Sequence, residues 1–135
     1  IDDLRAASTD VSDSVREKLE RFTQATGIPC EVEISVNENQ LALETTNHAL
    51  NILNESLTNI ARHAQATQVK VVFAIQNKNL QLEVRDNGKG FDVNQETKGH
   101  YGLVGMHERA RLTGGMLSIE SNQSGTSVQF IVGRS

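Results

Sequence analysis

Five short runs in this chain alternate apolar and polar residues, and that alternation limits the fold more than anything else in it. Val32, Ile34 and Val36 alternate with Glu31, Glu33 and Ser35. Val69, Val71, Phe73 and Ile75 form a second run, and Leu80, Leu82 and Val84 a third. Leu117 and Ile119 mark a fourth; Val128, Phe130 and Val132 mark a fifth. A period of two reads as β-strand. Asn77-Lys78-Asn79 and the stretch from Asn122 to Gly125 are turn chemistry, so the later four runs pair as two hairpins. Asn37 to Gln40 reads as a turn or loop.

Helical spacing fills the gaps. Ser12 is an N-cap for a helix to about Ala25, with Val15, Leu19 and Phe22 at helical intervals and Gly27 and Pro29 as stops. Leu50, Leu53, Leu57, Ile60 and Ala64 form an apolar stripe on a helix from about Leu41 to Ala64. Leu103 to Leu112 reads as a short helix ended by Gly114-Gly115. The order α-β-α-β-β-loop-α-β-β, with strands grouped in hairpins, predicts an α+β fold, a two-layer sandwich.

Composition bounds the function. A chain of 135 residues suits one domain. A net charge of −4 offers no general attraction for nucleic acid or anionic membrane. Cys30, the sole cysteine, forbids an internal disulfide and fits a reducing compartment. The apolar stretch from Val71 to Ile75 is far short of the roughly 20 residues of a membrane span. No signal-peptide pattern is present. Ile1 in place of Met reads as the start of a fragment, and a longer parent protein is the expectation. Residues 1–11 are polar with weak pattern and read as a linker.

Two glycine-rich segments carry the chemistry. Asp86-Asn87-Gly88-Lys89-Gly90-Phe91-Asp92 ends the third strand, and Gly99-His100-Tyr101-Gly102-Leu103-Val104-Gly105-Met106 leads into the last helix. Glycine lets other atoms approach the backbone. A carboxylate at a strand end is a fixed acceptor that suits a ligand amine such as that of adenine, although Asp-Asn-Gly is also ordinary turn chemistry. A Rossmann fingerprint fails because Val93 stands where its third glycine is needed, and no P-loop occurs. Gly99, Gly102 and Gly105 surround a helix start, where amides and the helix dipole favour an anion; a plain flexible loop fits them equally. Glu55 and Asn59, one helical turn apart, offer oxygens that suit Mg²⁺; a solvated polar face is the plainer account. His48, His63, His100 and His107 show no zinc spacing. Arg62 and His63 lean toward phosphates if Glu55 and Asn59 face one.

Together these segments resemble the ATP-binding catalytic domain of sensor histidine kinases, within the GHKL ATPase superfamily. Asn54 to Ala64 resembles the N box, Asp86 to Phe91 the first glycine box and Gly102 to Met106 the second. Gly125-Thr126 resembles the terminal Gly-Thr pair. The resemblance spans roughly residues 12–132. Asn-Glu-Ser-Leu-Thr-Asn, His-Glu-Arg-Ala-Arg-Leu and a short lid between Gly90 and Gly102 are similar to the nitrate-sensor-type subgroup.

The resemblance implies a mixed, mostly antiparallel sheet covered on one face by helices. It divides the chain into a linker, 1–11, from an absent dimerisation and phosphoacceptor domain, and a catalytic domain, 12–135. It implies ATP/ADP and Mg²⁺ as ligands. Asp86 would accept from the adenine amine, with Thr126 helping through a water, and Gly88 and Gly90 would keep the wall close to the base. Asn59 would bind Mg²⁺, and Glu55 would orient water or assist transfer. Arg62, His63 and the amides around Gly102 to Gly105 would neutralise phosphate charge, with Leu103 and Met106 also among the ATP-binding residues. None of the four histidines lies in a phosphoacceptor motif, so the γ-phosphoryl would go to a histidine on another domain, and then to a response regulator. The intact protein would be a membrane-linked bacterial homodimer with this domain, itself monomeric, in the cytoplasm and without direct nucleic-acid binding. An anti-sigma-type serine kinase and a non-catalytic nucleotide-binding module are the rival readings.

Overall fold

The computed structural model describes residues 2–36, 43–77, 79–93 and 102–133. The turn at Asn37 to Gln40, the helix start at Leu41 and the lid residues 94–101, with Gly99 and His100 among them, lie outside the described residues.

Among the described residues, three α-helices cover one face of a five-stranded sheet. Helix α1 spans Asp2–Thr26, strand β1 Cys30–Val36 and helix α2 Leu43–Asn59. A π-helical turn, Ile60–Ala64, follows α2. Strands β2 and β3 span Val69–Gln76 and Asn79–Asp86, α3 spans Leu103–Thr113, and β4 and β5 span Met116–Asn122 and Gly125–Val132. The sheet order is β1-β2-β3-β5-β4. Only β1 and β2 are parallel; the other neighbours are antiparallel. Parallel neighbours need a crossover, and α2 supplies it.

The element order follows the periodicities, with one difference at the start. Helix α1 begins at Asp2 rather than at Ser12. Ser8, Thr9 and Asp10 favour caps, yet inside a formed helix each costs less than about 1 kcal/mol against alanine. Val11 packs against the core one turn ahead of Val15, so the helix is held on both sides of Ser12. Its end is as expected. Gly27 turns at φ +78° and donates its N–H to Thr23 O at 2.7 Å.

One core joins the layers. Val15, Leu19 and Phe22 of α1, Ile52, Leu53 and Leu57 of α2, and Met106 and Ala110 of α3 are buried against the sheet. Opposite them lie cross-strand rows, such as Ile34, Phe73, Leu82, Phe130 and Leu117. Phe73 and Phe130 are fully buried, and truncating either to alanine would cost about 3–5 kcal/mol.

Candidate functional site

The alternation that builds β3 does not stop at its last apolar residue. Leu80, Leu82 and Val84 face the helices, and Asp86 is next in the same series, only 6% exposed. The carboxylate thus sits in the layer between sheet and helices. Its Oδ1 accepts the Gly88 N–H at 2.7 Å. Burial pushes the Asp86 carboxyl above its ordinary value, and the amides of Gly88 and Thr126 pull it part of the way back. No ion pair among the described residues reaches it. A buried acid held by amides, without a cation, keeps acceptor capacity for a ligand.

The segment after Asp86 is tied down on both sides. Asn87 Oδ1 accepts the N–H groups of Thr67 and Gln68 at 2.9 and 3.1 Å, and its Nδ2 donates to Thr67 Oγ1. Gly90 turns at φ +73°, and a Cβ there would stand 2.0 Å from Asn122 O. Phe91 N–H donates to Ser121 Oγ at 2.8 Å, and Ser121 Oγ lies 2.7 Å from Thr126 Oγ1. Both glycine-box edges are therefore stitched to neighbouring loops and strands.

A largely apolar cleft opens beside Asp86. Val84, Ile119 and Val128 of the sheet form one wall, and Ser56, Asn59, Ile60 and His63 another. Leu103 and Met106 of α3, with Gly90, Phe91 and Thr126, complete it. Ser56 Oγ donates to Ile52 O and lies 3.8 Å from Met106 Sδ, which seats α3 against α2.

Of the residues singled out in the sequence, the structure gathers Asn59, His63, Asp86, Gly90, Leu103, Met106 and Thr126 around one cleft. Gly88 is buried beside it and gives its amide to Asp86. Glu55 lies against the start of α3: a Cβ on Gly102 would stand 2.1 Å from Glu55 Oε1, and Gly102 itself turns at φ +66°. N box and second glycine segment are thus in contact. Arg62 and Gly105 are exposed and do not line the cleft.

Ser56, Ile60, Val84, Phe91, Ile119 and Val128 were not anticipated as lining. Four of these are apolar residues whose spacing is that of the core, and the sequence holds no sign of where core ends and cleft begins. Ser121 shares the parity of Leu117 and Ile119 on β4, and no motif in the sequence singles it out.

Asn59 and Glu55 offer oxygen donors, which suit a hard cation such as Mg²⁺. The described residues contain no group of three or more His, Cys, Asp or Glu placed to hold a metal. The donor set therefore fits a cation that takes most of its ligands from a phosphate chain and water.

A helix layer on a mixed sheet, with a buried acid, a side-chain amide and an imidazole lining one largely apolar cleft, is an α+β domain with a small-molecule type of site. The chain belongs to the histidine kinase-, DNA gyrase B-, and HSP90-like ATPase family, whose model matches residues 44–134. It is 34% identical over 126 residues to the sensor histidine kinase YdfH of Bacillus subtilis (strain 168), covering 90% of this chain and 31% of that protein. It is 32% identical over 130 residues to LiaS of the same organism, covering 96% of this chain and 34% of that one. The chain spans about a third of the length of the curated relatives it matches. Among solved structures, the blue-light activated histidine kinase EL346 of Erythrobacter litoralis superposes with a TM-score of 0.69 at 19% identity, covering 87% of this chain and 40% of that one. The Acinetobacter baumannii histidine kinase AdeS gives a TM-score of 0.65 at 15% identity, covering 92% of this chain and 63% of that one. The mixed sheet with helices on one face is the fold they share. No described helix is long and apolar enough to cross a membrane.

Proposed function

We propose that the cleft binds ATP and ADP with Mg²⁺, and that the intact protein passes the γ-phosphoryl group to a histidine outside this chain. The observation that carries the reading is Asp86, a buried carboxylate that lines a largely apolar cleft. An ionised carboxylate only accepts hydrogen bonds. Adenine presents an amine there, whereas guanine presents an oxygen.

In this reading Asp86 takes the adenine amine, and Val84, Ile119 and Val128 exclude water from the base. Gly90 keeps the loop close. Asn59 holds the Mg²⁺, whose charge would neutralise phosphate. Glu55, at the junction with Gly102, orients water or assists transfer. His63, on the cleft wall, and Arg62, on the exposed side of the same turn, lower the charge of the phosphate chain. Positioning and electrostatics are most of what phosphoryl transfer needs. Residues 1–11 lead in from a phosphoacceptor and dimerisation domain, 12–135 form the catalytic unit, and a response regulator is the final acceptor. The resemblance to sensor kinases supports these partners and a cytoplasmic place in a membrane-anchored dimer.

Competition between ATP and GTP in Mg²⁺ tests the reading. An unpaired buried acceptor costs about 1–3 kcal/mol, so ATP should win by roughly ten- to a hundredfold. Equal affinities would reduce Asp86 to a turn residue.

A further inference from the structure

One cross-strand row contains Asp86, Thr126 and Ser121: Asp86 is the register partner of Thr126, and Thr126 of Ser121. Thr126 lines the cleft, whereas Ser121 stands behind it, half-buried. The two hydroxyls are 2.7 Å apart. Ser121 Oγ also accepts the Phe91 N–H at 2.8 Å.

This series of hydrogen bonds favours one direction for the hydroxyl protons. Each hydroxyl has one proton and two lone pairs. The Phe91 amide occupies a lone pair of Ser121, and an oxygen that accepts a hydrogen bond becomes a better donor. In the order this favours, Ser121 donates to Thr126 Oγ1, and the Thr126 proton is left to point into the cleft. The reverse order would turn a Thr126 lone pair toward the ligand, beside a carboxylate that also accepts. A base edge with an amine next to a bare ring nitrogen needs an acceptor beside a donor. Phe91, Ser121 and Thr126 in series supply the donor.

We propose that Ser121 is a positioning residue for base selection: it fixes the Thr126 hydroxyl as a donor, directly or through one water, to the ring nitrogen beside the amine held by Asp86. The inference rests on the adenine-nucleotide reading above. Guanine carries a proton on that ring nitrogen, so an oriented donor repels it. A Thr126 hydroxyl released from Ser121 can rotate and accept that proton.

The test measures affinities for ATP and for GTP, each with Mg²⁺, in the wild type and in Ser121→Ala, Thr126→Val and the double variant. Ser121→Ala should weaken ATP roughly two- to tenfold, the range of one hydrogen bond, and leave GTP unchanged or tighter. The double variant should bind ATP no more weakly than Thr126→Val alone, because Ser121 acts through Thr126. Ser121→Cys fills nearly the same space with a weak donor. It should show the same fall in the ATP-to-GTP ratio, and it carries the test if the alanine variant does not fold. Parallel losses for the two nucleotides would mean that Ser121 only braces the loop at Phe91, and would overturn the proposal. Independent, additive losses in the double variant would do the same. A wild type that bound ATP no better than GTP would remove the adenine reading itself, and this inference with it.

Discussion

Gly125 and Asp86 meet backbone to backbone: a Cβ on Gly125 would stand 1.9 Å from Asp86 O. Gly125 also turns at φ +137°, a conformation that L side chains rarely adopt. The close approach lets β5 pair with β3 up to its last residue, where the carboxylate is held. Gly125→Ala should therefore destabilise the chain by about 1–3 kcal/mol and disturb the cleft beside Asp86. Urea unfolding reads the first effect and ATP titration the second. An unchanged midpoint would show that the hairpin absorbs the methyl group.

Asp86 sets up opposite demands on stability and binding. Its folded-state value is raised above the ordinary 3.8, chiefly by burial. The proton therefore binds the folded chain more tightly than the unfolded one. The contribution of this group to stability is fully present below about 3.8 and is lost as the pH rises through the raised value. The stability of the wild type minus that of Asp86→Asn should thus decline over that window. ATP affinity should move the other way, falling as acid protonates the carboxylate. A flat stability difference across the window would contradict the burial argument.

Asn59→Ala should remove most of the Mg²⁺-dependent part of ATP affinity and leave the metal-free part nearly intact. Calorimetry with Mg²⁺ and with a chelator separates the two. If both fell together, Asn59 would be contacting the nucleotide without the metal.

Asn87→Ala should act on stability more than on binding. Its amide ties the end of β3 to Thr67 and Gln68 through three hydrogen bonds, on an exposed side of the loop. Water replaces part of what is lost, so the expected cost is about 0.5–1.5 kcal/mol. Chemical denaturation measures it. A larger loss of ATP affinity than Asp86→Asn produces would place Asn87 in the cleft itself.

The isolated chain, incubated with radiolabelled ATP, should stay unlabelled, because the proposed acceptor lies outside it. Acid-labile label on His48, His63, His100 or His107 would relocate the acceptor into this chain.

The fold was legible wherever one period ran unbroken. The alternation at Val69 to Ile75 and Leu80 to Val84 located β2 and β3 to within a residue or two, because a half-buried strand leaves little freedom in that pattern. The start of α1 was less legible. Residues 2–11 carry cap-forming side chains, and continuation of a formed helix depends on packing more than on propensity. The change from α-helix to π-helical turn at Ile60 also left no mark, since the stripe through Leu57, Ile60 and Ala64 suits an ordinary helix. In the site, the polar members Asp86, Asn59 and Thr126 stood out by residue type. The cleft walls did not. Ile60, Val84 and Val128 share the spacing of the core, to which they also belong, and only the assembled fold shows that they line the cleft.

The ladder between β3 and β5 has a consequence for the order in which the domain comes into being. Each hairpin, β2–β3 and β4–β5, closes over a few residues, but Asp86 and Thr126 face one another across all of α3 and β4. During synthesis β3 leaves the ribosome as an edge strand, with its acid at an open rim. The neighbour that finishes the cleft is made only after α3 and β4. A ligand that needs both strands stabilises only the completed chain. In a cell supplied with ATP, the nucleotide would favour finished domains over nascent ones, and a premature stop anywhere before Gly125 would leave a chain that ATP does nothing to hold together.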